Sequence, residues 1–536
     1  ESQKRDLEVV SGSWTTDEYR HTDRISHLRI VATHCDYEYI TGYKEDAEEY
    51  TQVKVKINVI GQNSDFAITP TMVWNGCIVN LIDSTVEPNG DLCPRFIIIN
   101  PDYLMECSSI ADCVTPCGPN PLEHLFKKLM GAKTSKAMLL GNIANYFHDR
   151  LIHAHDKSTV DFKTLINEAF LESSLSISTC EELQNKDDYD SWIADAESHY
   201  NNIKNVVETI FPEVGISTEN VLLEPTFFCD QLGLSGRLDL LHQAKGNYAV
   251  VEMKSGKSKF PETQLDLIAD NHITQAFLYQ AIVQRVLQIP FNELKTYIFY
   301  TKYPYEKRAN LRYAKCTLKN ISEALNLRNR IVCYEHLLAN AKSVDDVRRI
   351  VSWITPQYMI PNYDKVRSER IVSGFIVPKI EEFRHTIDSS SQLEQKYFYS
   401  MLGFIAKEQD YAKTGGSGTR RNHYGFASCW RESLEEKKES GNIIFDLHPR
   451  EIAIDTAEPY VVFDRTPNDE YTASFRVGDI VVIYERQNDT DLATNKLVLR
   501  GTIAEITNCT LRINMRQTQR NPTVLRKDMT FAIERD

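Results

Sequence analysis

The segment from Val221 to Lys254 limits most strongly how this chain can fold. It contains three β-prone runs, VLLEPTFF, RLDLLH and YAVVEMK, which are separated by the turn sequences GLSG and KGN. The last run is apolar almost to its charged end, a pattern typical of a strand that is buried on both faces. Helical patterns flank these strands, so the sequence predicts a mixed α/β core.

The helical patterns lie on both sides of this segment. Apolar residues recur with helical spacing over 120–155, 166–210, 272–287 and 321–341, and a further strand is predicted over 296–301. Strands alternating with helices in this way predict a sheet covered by helices.

Two further β-rich regions stand outside the α/β core. Residues 27–100 alternate short β-prone runs with polar turns, which predicts a small antiparallel barrel similar to the oligonucleotide-binding barrel. After Gly441 the chain is β-rich to its end, which predicts a second small barrel. The predicted domains are a barrel at 1–105, the α/β core at 106–340, a helical region with a basic Gly-rich loop (KTGGSGTRRNHYG) at 341–440, and a C-terminal barrel at 441–536.

Composition excludes several classes of protein. No apolar run reaches the roughly 18 residues of a membrane span, so a soluble chain without a membrane partner is expected. Twelve scattered cysteines without a C-x-x-C pair argue against a disulfide framework. The net charge of -14 opposes nucleic-acid binding as a global effect, but residues 500–527 hold six basic side chains against one acidic one. This basic run is either a DNA-binding surface or a solvated strand face.

The sharpest chemical pattern is Asp239 followed by Glu252 and Lys254. The sequence predicts that the two acids end adjacent strands of one hairpin, and the period of two places Lys254 on the same strand face as Glu252. Hydrolysis of a phosphodiester needs carboxylates that hold Mg²⁺ or Mn²⁺ and a cation that stabilises the developing charge. The alternative is an ordinary ion pair on a strand, but here the charges follow the apolar run YAVV.

Two helical patterns accompany this motif. His272, Gln275 and Tyr279 have the spacing of one helical face, which either leans over the site to hold Lys254 or a DNA phosphate or is the wet side of the helix. Upstream, Gly141 is followed by Asn145 and His148; Asn145 is a candidate metal ligand, and His148 is predicted to be a partly exposed helical histidine.

These motifs resemble the PD-(D/E)xK nuclease superfamily, in its RecB-like branch. The sequence GRLD supplies the first acid, EMK the E-x-K motif, and QAFLY the Q-x-x-x-Y motif of that branch. The segment IIINPDYLMECSSIADC and the terminal runs FRVGDIVVIYE and FAIERD narrow the resemblance to DNA-replication nuclease-helicases that trim Okazaki flaps. In that family the terminal barrel leads into a superfamily 1 helicase motor, which this chain does not include.

The resemblance implies a role for each residue of the motifs. Asp239 and Glu252 are then metal ligands for Mg²⁺ or Mn²⁺, Met253 contributes its backbone carbonyl, and Lys254 is the catalytic lysine, while Gln275 and Tyr279 support it. The family has a metal-binding histidine where this chain has Asn145, a weaker ligand. Cys316, Cys333, Cys429 and Cys509 are too far apart for the family's iron-sulfur cluster, so no cluster is expected.

Two functions follow from this pattern. The first is a metal-dependent deoxyribonuclease that acts on single-stranded or flap DNA in repair, replication or phage defence, with a helicase as partner. Its predicted DNA-binding residues are His272, Lys413, Arg420, Arg421, Arg512 and Arg516. The second is a catalytically silent nuclease fold that binds DNA or a partner helicase. The expected location is the cytoplasm, at a bacterial nucleoid, or the nucleus of a eukaryote.

Overall fold

The structure is a computed structural model that describes residues 24–45, 51–63, 65, 67–131, 134–259, 266–304, 310–415, 425–466 and 473–536. The chain divides into two compact units, each assembled from three stretches. Unit 1 contains the described parts of 1–131, 228–236 and 317–433. Unit 2 contains those of 132–227, 237–316 and 434–536.

Unit 1 begins with a closed β-barrel. Its strands are β1 Arg24–Cys35, β2 Tyr39–Lys44, β3 Gln52–Lys56, β4 Ile78–Val86, β5 Leu92–Cys93 and β6 Phe96–Ile99. The order is β1-β2-β3-β5-β4-β6, and pairing of β1 with β4 closes the barrel. All pairs are antiparallel except β3 and β5. The predicted N-terminal barrel is therefore confirmed.

Helices make up most of the remainder of unit 1. Three short strands also lie in this part of the chain, β7 Met105–Glu106, β8 Val114–Thr115 and β9 Gly118–Pro119. The α-helices span Cys107–Ala111, Leu122–Met130, Leu318–Ala339, Val344–Val351, Pro356–Met359, Tyr363–Val366, Val377–Ser389, Gln392–Thr414 and Ser428–Arg431. An apolar core joins the second of them to the later ones through Leu125, Leu338, Val347 and Phe383. The predicted helical region is thus confirmed.

A fully buried arginine lies at the centre of unit 1. Arg328 has no exposed surface, and burial lowers its pKa to about 9. Its guanidinium donates to the carbonyl oxygens of Gly233 at 3.2 Å, Asn100 at 2.9 Å and Tyr103 at 2.9 Å, and also to that of Ile99. One side chain therefore provides hydrogen-bond donors to the carbonyls around the end of β6 and to the carbonyl of Gly233, which is distant in sequence.

The strands of the α/β core are β10 Val221–Leu223, β11 Thr226–Cys229, β12 Leu234–Arg237, β13 Leu240–Ala244, β14 Asn247–Lys254, β15 Leu294–Tyr300 and β16 Leu311–Tyr313. They belong to unit 2 except for residues 228–236, which include parts of β11 and β12 and belong to unit 1. Five of them form a sheet in the order β10-β13-β14-β15-β16. Only β14 and β15 pair in parallel, because the helix Asp270–Leu287 connects them as a crossover.

Helices cover this sheet. The α-helices of unit 2 span Lys136–His153, Phe162–Ser178, Lys186–Asn205, Phe211–Glu213, Asp270–Leu287 and Leu434–Ser440. Ile143 and Phe147 of the first helix share an apolar core with Val251, Met253 and Phe299 of the sheet. Among the described helices, none combines the length and hydrophobicity needed to cross a bilayer.

A six-stranded barrel closes the chain and belongs to the same unit as the sheet. Its strands are β17 Ile443–Ala453, β18 Tyr460–Asp464, β19 Ile480–Glu485, β20 Val498–Ile506, β21 Thr510–Met515 and β22 Phe531–Arg535. The order β19-β22-β17-β18-β21-β20 is closed by pairing of β19 with β20. Buried Glu534 accepts hydrogen bonds from Lys437 at 3.0 Å and Tyr484 at 2.6 Å. The predicted C-terminal barrel is confirmed.

Candidate active site

The hairpin of β13 and β14 brings the two predicted acids together. Asp239 lies directly before β13, and Glu252 lies near the end of β14. Because the strands are antiparallel and Leu240 pairs with Val251, the register places Asp239 opposite Glu252. Asp239 thus stands at the beginning of its strand, whereas the sequence predicted that it ends one.

The alternation of β14 separates its polar side chains from its apolar ones. Ala249, Val251 and Met253 face the apolar core formed with the helix Lys136–His153. Glu252 and Lys254 therefore project from the opposite face. Lys254 Nζ lies 2.7 Å from Glu252 Oε1, and the N–H of Met253 donates to Asp239 Oδ2 at 2.6 Å. The structure therefore brings Asp239, Glu252 and Lys254 together, and these three residues form the catalytic constellation.

The helix Asp270–Leu287 holds Lys254 from the other side. Gln275 Oε1 accepts a hydrogen bond from Lys254 Nζ at 2.9 Å, and Gln275 Nε2 donates to the hydroxyl of Tyr279 at 3.0 Å. The Tyr279 hydroxyl in turn donates to the carbonyl of Arg237 at 2.9 Å. Gln275 and Tyr279 are buried, so this stripe is not the wet side of the helix. The chain of hydrogen bonds fixes the lysine relative to the residues that precede Asp239.

His272 lies one helical turn before Gln275. Its Nδ1 is 2.9 Å from the hydroxyl of Tyr300, which also accepts the N–H of Ala269. Burial lowers the pKa of His272 to about 4, and the charge of Lys254 adds to this effect. The imidazole is therefore neutral at pH 7, so it can serve a ligand as a hydrogen-bond donor but not as a cation.

Both acids are held in an environment that disfavours their charge. Burial and the neighbouring Asp239 carboxyl together raise the pKa of Glu252 to about 8, with Lys254 offsetting part of their effect. Burial also raises the pKa of Asp239, although Lys254 and the Met253 N–H favour its ionised form. Glu252 Oε2 is buried and receives no hydrogen bond within the described structure. Such a pair stores electrostatic repulsion that a bound cation would relieve.

We expect Glu252→Gln to stabilise the metal-free protein and to reduce its dependence on pH. The pKa of Glu252 in the folded chain, about 8, lies above its ordinary value of 4.5. The contribution of this group to stability is therefore complete below pH 4.5 and is lost progressively as the pH rises through about 8. Melting curves in EDTA at pH 5.5 and 8.5 should show a loss of Tm that is smaller in the variant than in wild type by about 2–4 °C.

Glu197→Gln is the matched control, because Glu197 is an exposed carboxylate of the same unit. It should keep the wild-type difference between the two pH values. An unchanged difference in Glu252→Gln would show that this carboxyl is not strained in the folded chain.

The helix Lys136–His153 presents one stripe to this site. A side chain added at Gly141 would lie 3.1 Å from Ser255 Oγ, so the helix passes close to the end of β14. His148, seven residues on, is buried and lies close enough to Asp239 for a protonated imidazole to lower the pKa of that carboxyl. Half-buried Asn145 lies between them on the same stripe. The prediction that His148 is partly exposed is therefore wrong, and its Nε2 is buried without a hydrogen-bond partner in the described structure.

Sequence reasoning missed one acidic residue, Glu224. Its N–H donates to the carbonyl of Asp239 at 3.1 Å, and its backbone φ of 48° is left-handed. Burial raises the pKa of Glu224, and the charges of Asp149 and Asp239 raise it further, whereas Arg237 lowers it. The one signal in the sequence is an acid inside the apolar run VLLEPTFF.

The side chains around Asp239 fit a divalent metal ion in part. Within the described ranges, no group of three or more His, Cys, Asp and Glu side chains is arranged to hold a metal. Two adjacent carboxyls with raised pKa values and the orphaned Glu252 Oε2 nevertheless form an oxygen-rich donor set that suits Mg²⁺ or Mn²⁺. The metal roles predicted for Asn145 and for the carbonyl of Met253 stay predictions.

The predicted DNA-binding residues lie in different surroundings. Half-buried Lys413 donates to the carbonyl of Leu104 at 2.8 Å and lies over the ring of Tyr103, so unit 1 itself holds its ammonium group. Arg420 and Arg421 lie outside the described residues. Arg512 and Arg516 are both exposed on the barrel of unit 2.

Comparison with known proteins agrees with the motifs. Residues 120–352 match the family model of the PD-(D/E)XK nuclease superfamily. This range includes Asp239, Glu252, Lys254, Gln275 and Tyr279. A comparison with curated proteins found no significant match. Members of the matched superfamily are generally nucleases, which use divalent metal ions.

Proposed function

Since residues 120–352 form a domain of the PD-(D/E)XK nuclease superfamily, we propose that this chain is a Mg²⁺- or Mn²⁺-dependent nuclease that hydrolyses single-stranded or flap DNA. The observation that carries the proposal is the contact of Lys254 with Glu252 at 2.7 Å, directly beside the carboxyl of Asp239. An isolated surface ion pair would lack the second buried carboxyl and would leave no acceptor such as Glu252 Oε2 without a partner.

Each side chain of the constellation has a distinct task in this proposal. Asp239 and Glu252 would hold the metal ion, which would supply positive charge to the phosphate and make water more acidic. The ammonium group of Lys254 lies at the same place and stabilises the negative charge that develops on the phosphoryl oxygens. Gln275 prevents the lysine from rotating away, since its Oε1 holds Nζ at 2.9 Å. Hydrolysis breaks the P–O3′ bond, leaving a 5′-phosphate and a protonated 3′-oxygen.

The preference for single strands and flaps rests on the resemblance and on the two barrels. A closed barrel of the N-terminal type is a frequent platform for single-stranded nucleic acid. The terminal runs FRVGDIVVIYE and FAIERD, which form strands of the second barrel, support a place beside a superfamily 1 helicase motor. That motor is provided by the same protein or by a separate subunit, in replication, repair or phage defence.

A catalytically silent module that binds DNA is the second candidate. It is favoured by Asn145, which stands at the position where the resembled family has a metal-binding histidine. His148, one turn further on, provides an imidazole near Asp239, and this weakens the second candidate.

Titration with Mn²⁺ separates the two candidates. We expect cleavage of a labelled single-stranded oligonucleotide to rise with Mn²⁺ and to be absent in Glu252→Gln, which should still bind the oligonucleotide in EDTA. The silent module predicts equal, salt-dependent binding by both proteins and no product at any Mn²⁺ concentration.

A further inference from the structure

Building on the proposed nuclease function, we propose that an arginine-lined pocket in unit 2 binds a backbone phosphate of the single strand beside the scissile one. The pocket has a cavity volume of about 30 Å³ and is formed where Thr226 pairs with Val498 of β20. Both residues, and all the others that line the pocket, belong to unit 2. It is therefore a feature of one compact unit.

Two residues that line the pocket adjoin the candidate active site. One wall carries Glu224, whose N–H donates to the carbonyl of Asp239 at 3.1 Å. The same wall carries Arg237, which lies two residues before Asp239. The carbonyl of Arg237 accepts the hydrogen bond from the Tyr279 hydroxyl. The elements that hold the catalytic constellation thus also hold this wall. In this proposal, a strand whose scissile phosphate lies at Asp239 would reach the pocket with a neighbouring phosphate.

The charge of the lining suits an anion. Arg237, Arg500 and Arg516 line the pocket together with one acid, Glu224. Glu224 is already engaged, because Arg237 lies 3.4 Å from its carboxylate and Gln517 donates to it. Arg500 lies 2.9 Å from Asp536. Guanidinium groups bind phosphate oxygens in a bidentate geometry, so three of them around one opening form a phosphate site.

Arg516 is the arginine best placed to take the ligand. Its side chain is exposed, and no ion pair is found for it within the described residues. Its backbone N–H donates to the carbonyl of Arg500 at 3.0 Å, which fixes the two arginines on neighbouring strands. Among the described residues, the pocket therefore presents one guanidinium without an ion pair, that of Arg516, beside two that each have a carboxylate partner.

On the outer surface of the barrel, a single row of polar side chains leads away from the pocket. Arg512, Asn514 and Arg516 alternate with buried Leu511, Ile513 and Met515, so they share the outer face of β21 and its immediate extension. Four residues of strand span about 13 Å, which is about the length of two nucleotides of an extended single strand. Arg512 also lies 4.1 Å above the ring of Tyr460, which gives this row an aromatic surface. One row with a narrow pocket fits a single strand better than a duplex.

The test measures binding of a 5′-fluorescein-labelled dT20 oligonucleotide in EDTA, where no cleavage occurs. Arg516→Gln and Arg237→Gln should each weaken binding about 3–10-fold at 0.1 M salt. Each should also reduce the slope of log K against log salt by about 0.7, the value for one phosphate contact with a single strand. In Mn²⁺, KM should rise by the same factor while kcat stays within about twofold.

Arg450→Gln is the matched control. Arg450 is an exposed arginine of β17, which lies three strands away from β20 around the barrel and does not line the pocket. It should keep the wild-type affinity and salt slope. Equal losses of affinity in Arg450→Gln and Arg516→Gln would show that binding depends on general surface charge and not on the pocket, and this would overturn the proposal.

The outcomes distinguish this proposal from the proposed nuclease function. If wild type cuts DNA but both pocket variants bind and cut as wild type does, the pocket proposal is wrong and the nuclease stands. If wild type cuts nothing in Mn²⁺ but the pocket variants lose affinity and salt slope, the phosphate site stands without the nuclease. A fall in kcat with unchanged KM would also contradict a binding role for the pocket.

Discussion

We expect Lys254→Met to lower kcat for cleavage of single-stranded DNA by about 10³-fold, because the proposed mechanism loses the cation that stabilises the phosphoryl oxygens. The aliphatic part of the side chain is kept, so the packing around β14 should persist. Gln275 loses the donor to its Oε1, and Glu252 loses its ion pair, but the hydrogen bond of Gln275 to Tyr279 remains available. Single-turnover cleavage of a labelled oligonucleotide at saturating enzyme measures the effect.

Lys259→Met is the control for this prediction. Lys259 lies five residues further along and pairs with Asp270 on the surface, at 2.7 Å. Its loss should leave kcat within about twofold, as expected for an exposed ion pair. If Lys254→Met keeps wild-type kcat, Lys254 and Glu252 form only a structural pair.

We expect Arg328→Met to lower the free energy of unfolding by about 3–5 kcal/mol. The carbonyl oxygens of Ile99, Asn100, Tyr103 and Gly233 lose their shared donor, and buried acceptors without a donor are costly. The loss should appear in urea unfolding followed by circular dichroism. We expect it to be large although Arg328 is far in sequence from all four acceptors.

The control is Arg330→Met, two residues further along the same helix at an exposed position. A surface change of this kind should alter stability by less than about 0.5 kcal/mol. Equal small losses in both variants would mean that the carbonyls around Arg328 find other partners.

The sequence predicted which side chains lie together at the centre of the site, because the strand and helix periods determine the faces on which they project. The period of two in YAVVEMK places Glu252 and Lys254 on one face of β14, and the helical period places Gln275 and Tyr279 on one stripe. These local rules hold in the structure because the apolar residues between them anchor each element in a core. The two barrels were predicted for the same reason, from alternating strands with polar turns.

Long-range packing could not be predicted in this way. Nothing in the local pattern indicates that 228–236 packs into unit 1 while the residues on both sides of it belong to unit 2. His148 was predicted to be partly exposed because a single histidine on a helix shows no periodic signal, yet the sheet buries it. Glu224 was missed for a related reason, since its role depends on a left-handed backbone and on partners as distant as Gln517.

The most direct test of the central claim compares wild type with Asp239→Asn on end-labelled single-stranded and flap DNA in Mg²⁺ and in Mn²⁺. In wild type the Met253 N–H donates to Asp239 Oδ2 at 2.6 Å. Asparagine keeps an oxygen that can accept this hydrogen bond, so the hairpin should stay folded. We expect wild type to cut in at least one metal and Asp239→Asn to bind DNA but to produce no fragments. Cleavage by Asp239→Asn at the wild-type rate, or intact DNA with wild type in both metals, would contradict the central claim.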